Sequence, residues 1–126
     1  MENLFVEGSD TLPEVNFNTE GKLKISGRAL PENAFDFFNP LIKWVKEFSS
    51  EDLTVEINLE YFNTSVSKQL HDLLKAIEGN QGYKTIQLKW YYEEGDDEIL
   101  EAGEIYEDLL PRINFSYHRY AEIFDE

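Results

Sequence analysis

Cysteine is absent from the 126 residues, and that absence removes a disulfide framework, a thiolate metal site and a cysteine nucleophile at once. It suits a reducing compartment. Basic residues are scarce as well: 11 Lys+Arg stand against 26 Asp+Glu, a formal net charge of -15. Such a surface repels phosphate backbones and anionic headgroups, so neither nucleic acid nor a membrane surface is expected as a partner. A basic protein surface fits better. Long apolar runs are missing, none approaching the ~18 residues that span a bilayer. The start, Met1-Glu2-Asn3-Leu4-Phe5-Val6-Glu7, has neither the basic nor the apolar region of a secretory signal. The expectation is a cytoplasmic protein, and the length fits one domain over residues 1–126.

Chemistry-bearing patterns are equally thin. The seven glycines are scattered and form no phosphate-binding loop of the G-x-G-x-x-G or G-x-x-x-x-G-K kind. His71 and His118 stand alone, without a nucleophile elbow or a paired histidine, and His71 reads as a partly exposed structural residue between Leu70 and Leu74. No nucleophile and base pair can be assembled, so an enzyme, a metal site and a cofactor are all unexpected.

What the chain does have is periodicity. Leu4 to Glu7 reads as a short extended piece. Val15 and Phe17 alternate with Asn16 and Asn18, and Leu23 and Ile25 with Lys22 and Lys24, around the turn Thr19-Glu20-Gly21: an N-terminal hairpin. Ala34, Phe37, Phe38, Leu41, Trp44, Val45 and Phe48 follow at helical spacing. Pro40 lies inside this pattern, which predicts a kink or a fresh start capped by Asn39. Leu53, Val55, Ile57 and Leu59 alternate as a strand. Val66, Leu70, Leu73, Leu74 and Ile77 form a second amphipathic helix that Gly79-Asn80-Gln81-Gly82 ends. Ile86, Leu88 and Trp90 make another strand, and Ile99 to Leu110 a third helix stopped by Pro111. The tail from Ile113 to Glu126 reads as either an edge strand or a short helix.

These strands are polar on one side, unlike those of a sheet covered on both faces. The fold class is therefore α/β (α+β): a mixed sheet with an N-terminal hairpin and about three main helices on one face. Leu53 to Tyr91 forms a parallel strand-helix-strand crossover.

Two segments invite a functional reading. Nine of the 26 carboxylates lie between Glu93 and Asp108. They fit a helix N-terminus at Asp96, Asp97 and Glu98 followed by a wet helix face, or a docking surface for a basic partner; they lack the spacing of a calcium loop. The second segment is Glu60 to Lys68, at the junction of a strand and a helix. Asn63, Thr64 and Ser65 are capping-type residues at the positive end of a helix dipole. One reading is an N-cap. The other is phosphorylation, since a phosphate adds about -1.5 to -2 charge at a terminus that tolerates an anion.

The blocks I-S-G-R-A-L-P-E-N-A (25–34), L-E-Y-F-N-T-S-V-S-K (59–68) and W-Y-Y-E-E-G-D-D-E-I-L-E-A-G-E (90–104) resemble the SiaC family of bacterial regulatory phosphoproteins. Glu2-Asn3-Leu4 and P-E-V-N-F (13–17) match the same pattern, so the likeness runs to about Leu110. The resemblance implies a STAS-like, anti-anti-sigma-factor-like fold and a partner-switching role. A protein kinase phosphorylates the protein, a PP2C-type phosphatase reverses this, and the unphosphorylated form binds and activates a diguanylate cyclase of the GGDEF type. The phosphorylated threonine of the family's F-N-T-S segment falls on Thr64, with Ser65 and Ser67 as weaker candidates. Asn63, Lys68 and Arg28 are the expected partner-binding residues. Ala29 and Val66 stand where serine is expected in many relatives. The alternative is a structural or scaffold interaction protein of the same fold in which Thr64 is only an N-cap.

Overall fold

The computed structural model describes residues 1–121. Six strands and three helices follow in the order β1 (Leu4–Val6), β2 (Glu14–Asn18), β3 (Lys22–Ala29), α1 (Ala34–Glu47), β4 (Asp52–Phe62), α2 (Thr64–Gly79), β5 (Thr85–Glu93), α3 (Asp97–Leu109) and β6 (Asn114–Tyr120). The sheet keeps sequence order from β1 to β6. β1, β2 and β3 pair antiparallel, whereas β3 to β6 are parallel.

The hairpin forms where the sequence supplies its turn. Asn18 Oδ1 accepts from the N–H groups of Glu20 and Lys22, and Gly21 takes the positive φ of 88° that a side chain disfavours. Strict alternation then decides burial. Leu23, Ile25, Leu53, Val55, Ile57, Leu59, Ile86, Leu88 and Trp90 are all buried, while the residues between them face solvent or are half-buried. Strand order that never reverses means each crossover steps the same way across the sheet, so crossovers of one hand set every helix on one face. The expected mixed α/β sheet with its helices on one face is what forms. The core between the layers is one apolar cluster without a buried polar or charged residue among those described.

One expectation changes and one open alternative is decided. α1 runs unbroken through Pro40, and its N-cap is Asn33, whose side chain accepts from Asp36 N–H, so Asn39 caps nothing. Pro40 costs only the bond that would have reached the Asp36 carbonyl; both residues are exposed, and water can serve that carbonyl. The tail resolves as a strand: β6 pairs with β5 in register from Gln87↔Asn114 to Glu93↔Tyr120. The remainder of the tail, 122–126, lies outside the described residues.

Candidate functional site

Because β3, β4 and β5 are parallel and each leads into a helix, the N-terminal ends of α1, α2 and α3 gather along one edge of the sheet, at the strands' C-terminal ends. That placement is where open α/β sheets present their loops. Each helix is capped alike: Asn33 accepts from Asp36 N–H at 3.1 Å, Asn63 from Val66 N–H at 3.0 Å and Asp96 from Ile99 N–H at 3.1 Å.

Thr64 is the first residue of α2 and is exposed. The cap is Asn63, in extended backbone (φ -94°, ψ -179°) with its side chain on the Val66 N–H. Thr64 as an N-cap is therefore corrected: Asn63 fills that position, and Thr64 already has helical geometry. Its hydroxyl is free of the capping duty. Ser65 is exposed beside it. Ser67 is different, because its hydroxyl is hydrogen-bonded to the Tyr106 hydroxyl at 2.9 Å and its carbonyl accepts from that hydroxyl at 2.8 Å.

Grooves flank the α2 terminus on both sides. One of about 280 Å³ lies toward α3 and is lined in part by Tyr61, Asn63, Thr64, Ser67, Asp96 and Glu98. Another of about 400 Å³ lies toward α1, where Glu32, Asn33, Phe35, Ser65 and Lys68 contribute. The dense acid run and the Thr64 corner thus share a groove. Asp96, Asp97 and Glu98 meet the structural expectation, since Asp96 caps α3 and the other two sit in its first turn.

The wall between α2 and α3 is firmly tied. Tyr106 is 4% exposed; it stacks on His71 at 6.0 Å and meets Trp90 edge-on at 5.7 Å. Trp90 Nε1–H donates to the Ile99 carbonyl at 2.9 Å. Gly103 permits this closeness, because a Cβ there would fall 2.7 Å from Trp90 Nε1. Burial raises the Tyr106 hydroxyl pKa, opposed by its Ser67 bond, so the hydroxyl stays protonated as the donor.

Of the residues singled out in the sequence, Asn63, Thr64, Ser65, Ser67 and Lys68 come together at this edge. Arg28 lies opposite Tyr61 in the β3–β4 register, just past a bulge between Gly27 and Arg28, at the same end but outside both linings. Ala29 and Val66 are fully buried, so apolar residues suit both places. Sequence reading missed Phe35 and Tyr61, which are 56% and 52% exposed on either side of the α2 terminus. The available signal was an aromatic off the apolar face of its own element.

The family model described as SiaC family regulatory phosphoprotein matches residues 6–120. The chain belongs to the SiaC family. Apo-SiaC from Pseudomonas aeruginosa has a crystal structure with a TM-score of 0.83 to this chain at 27% identity, covering 94% of this chain and 99% of that one. A chain in the crystal structure of the diguanylate cyclase SiaD in complex with its activator SiaC, from the same organism, gives a TM-score of 0.83 at 25% identity, covering 93% and 99%. An uncharacterised protein of Pseudomonas aeruginosa strain UCBPP-PA14 is 29% identical over 109 residues, 82% of this chain and 86% of its own length. In the complex with SiaD the related SiaC is the activator of the cyclase; in this chain the edge carrying Thr64 brings exposed polar side chains together with Phe35 and Tyr61.

Proposed function

We propose that this family member is a non-enzymatic, cytoplasmic partner switch acting as one domain: with Thr64 unmodified it binds and activates a diguanylate cyclase, and phosphorylation of Thr64 by a protein kinase releases that effector until a PP2C-type phosphatase removes the phosphate. The observation that carries the reading is the placement of Thr64: exposed, first in α2, spared from capping, and facing a groove with Asp96 and Glu98 in its lining. A related SiaC is the activator of a diguanylate cyclase in the complex with SiaD, which supplies the effector class.

The physics gives the switch its direction. A phosphate of about -1.5 to -2 charge is tolerated by the α2 terminus, whose free N–H groups and dipole favour an anion. It would also stand beside carboxylates on a chain already at -15. The folded state changes little, while a partner surface that had met a neutral hydroxyl between Phe35 and Tyr61 meets charge and bulk. Asn63, Lys68 and Arg28 would then be contact residues around the modified position. Ser65 is the second choice for modification; at Ser67 the kinase would have to break the bond to Tyr106 first.

Co-expression with a cognate kinase should shift the intact mass by one phosphate, and Thr64→Ala should abolish the shift. Calorimetry with the effector should find Thr64→Ala binding like the wild type and Thr64→Glu at least about tenfold weaker, a change of about 1.4 kcal/mol. Equal affinities for the two variants would remove the switch, and a stable phosphate on another residue would remove the site.

A further inference from the structure

The two edges of the sheet are unequal. β1 is only three residues long, a short edge of the kind that resists pairing. β6 is seven residues, Asn-Phe-Ser-Tyr-His-Arg-Tyr, with no proline and no carboxylate, and its register with β5 is uninterrupted. Among the described residues no proline, bulge or covering segment blunts it, and its charged side chain is Arg119.

The groups on β6 that take no partner among the described residues can be assigned. The Tyr120 carbonyl accepts from Glu94 N–H at 2.8 Å, so Tyr120 faces β5, and with it His118, Ser116 and Asn114 by alternation. Phe115, Tyr117 and Arg119 therefore point their N–H and C=O groups outward. Tyr117 also fixes the side-chain faces. Its hydroxyl donates to Glu107 Oε1 of α3 at 2.8 Å, which puts Phe115, Tyr117 and Arg119 on the helix side. There they lie beside an acidic helix end: burial, the Glu107 hydrogen bond and the charges of Glu107, Glu104 and Asp108 all raise the Tyr117 hydroxyl pKa. No cation pairs with these carboxylates among the described residues, whose one salt bridge is Lys89–Glu56. Arg119 is exposed.

We propose that β6 is a self-association edge, pairing antiparallel with β6 of a second copy about a two-fold axis at Tyr117 and extending the sheet across both molecules. Centred there, Tyr117 opposes Tyr117 of the second copy and Phe115 opposes Arg119. Three opposed pairs exchanging two bonds each use every outward group, about six bonds in all. Other antiparallel registers leave some of them unpaired. The same register keeps the two arginines apart and brings each Arg119 diagonally against the other copy's Tyr117, within reach of the Glu107 above it. An incoming cation is what the α3 end lacks, and a second copy provides one on each side. Because the strands run oppositely, the two Thr64 edges come to opposite ends of the joined sheet, leaving both free for effector or kinase. The inference does not rest on Thr64 being a switch.

One strand pair is a small interface, and two chains at -15 repel, so the association is expected to be weak and concentration-dependent. Sedimentation equilibrium of the full chain over roughly a hundredfold range of concentration should show the weight-average mass climbing from 14.8 kDa toward twice that value. Arg119→Pro removes an outward N–H without touching the β5 ladder, and should stay monomeric with an unchanged circular-dichroism spectrum. Arg119→Glu should weaken association at least about tenfold, and the charge swap Arg119→Glu with Glu107→Arg should recover it. A wild-type chain that is monomeric throughout overturns the proposal. So does association that Arg119→Pro or Arg119→Glu leaves intact, or a swap that recovers nothing.

Discussion

At the residue scale, neighbouring side chains at the α2 terminus separate stability from function. Asn63 accepts the Val66 N–H and bears the cap; Thr64 is exposed one position later. Asn63→Ala should therefore lose about 1 kcal/mol of folding stability, whereas Thr64→Ala should stay within about 0.5 kcal/mol of the wild type. Urea unfolding of the two variants checks the contrast, and a larger loss for Thr64→Ala would return the capping role to the threonine. Both residues were legible in the F-N-T-S segment, because three capping-type residues between a strand and a helix announce a helix start. Which one caps was not, since Asn, Thr and Ser all accept that bond and only the backbone angles choose among them. Tyr106 was harder still: it falls within the expected third helix, but its hydroxyl meets Ser67 39 residues away in sequence, a pairing no local pattern carries.

At the element scale, α2 depends on a residue from a distant connection. Arg112 follows α3, yet its guanidinium donates to the carbonyls of Glu78, Asn80 and Tyr83 at 2.7 to 3.0 Å. These are groups at and just beyond the C-terminal end of α2, where unpaired carbonyls and the negative end of the dipole favour a cation. Sequence reading stopped the helix at Gly79-Asn80 but had no means to see what satisfied its end. Arg112→Ala should cost about 2 to 3 kcal/mol, the scale of hydrogen bonds to a charged donor. The urea midpoint should fall while the slope with denaturant is preserved. Arg112→Lys should recover only part, because one ammonium cannot reproduce the planar fork. Strand and helix positions, by contrast, were legible almost throughout, since a one-sided sheet imposes a clean period of two. The exceptions have local causes. Pro40 sits on the wet side of α1, where a missing bond is cheap, and β6 has too few alternating apolar positions to be told from a helix without β5 beside it.

At the scale of the whole molecule, the pH response follows from tyrosines as much as from the acid excess. Burial pushes the Tyr83 hydroxyl up to about 12, and the hydroxyl donates to the Val45 carbonyl at 2.7 Å, tying β5's approach to the end of α1. Burial also raises the pKa of Tyr106, Tyr117 and Tyr120, with nearby carboxylates adding to the latter two. A tyrosine whose folded pKa lies above its unfolded value of about 10 keeps its proton longer in the folded state. Between those values the unfolded chain binds fewer protons, so stability falls as pH rises. The contribution is complete below pH 10 and, for Tyr83, is lost by about pH 12. Each tyrosinate formed on unfolding also adds to a charge already at -15. Unfolding free energy measured by urea titration at successive pH values should therefore bend downward only above about pH 10. Tyr83→Phe should lower stability at neutral pH, through the lost bond to Val45, and yet flatten that alkaline slope. A slope unchanged by Tyr83→Phe would mean that this hydroxyl ionises alike in both states, and that the contact between the strand layer and α1 does not hold its proton.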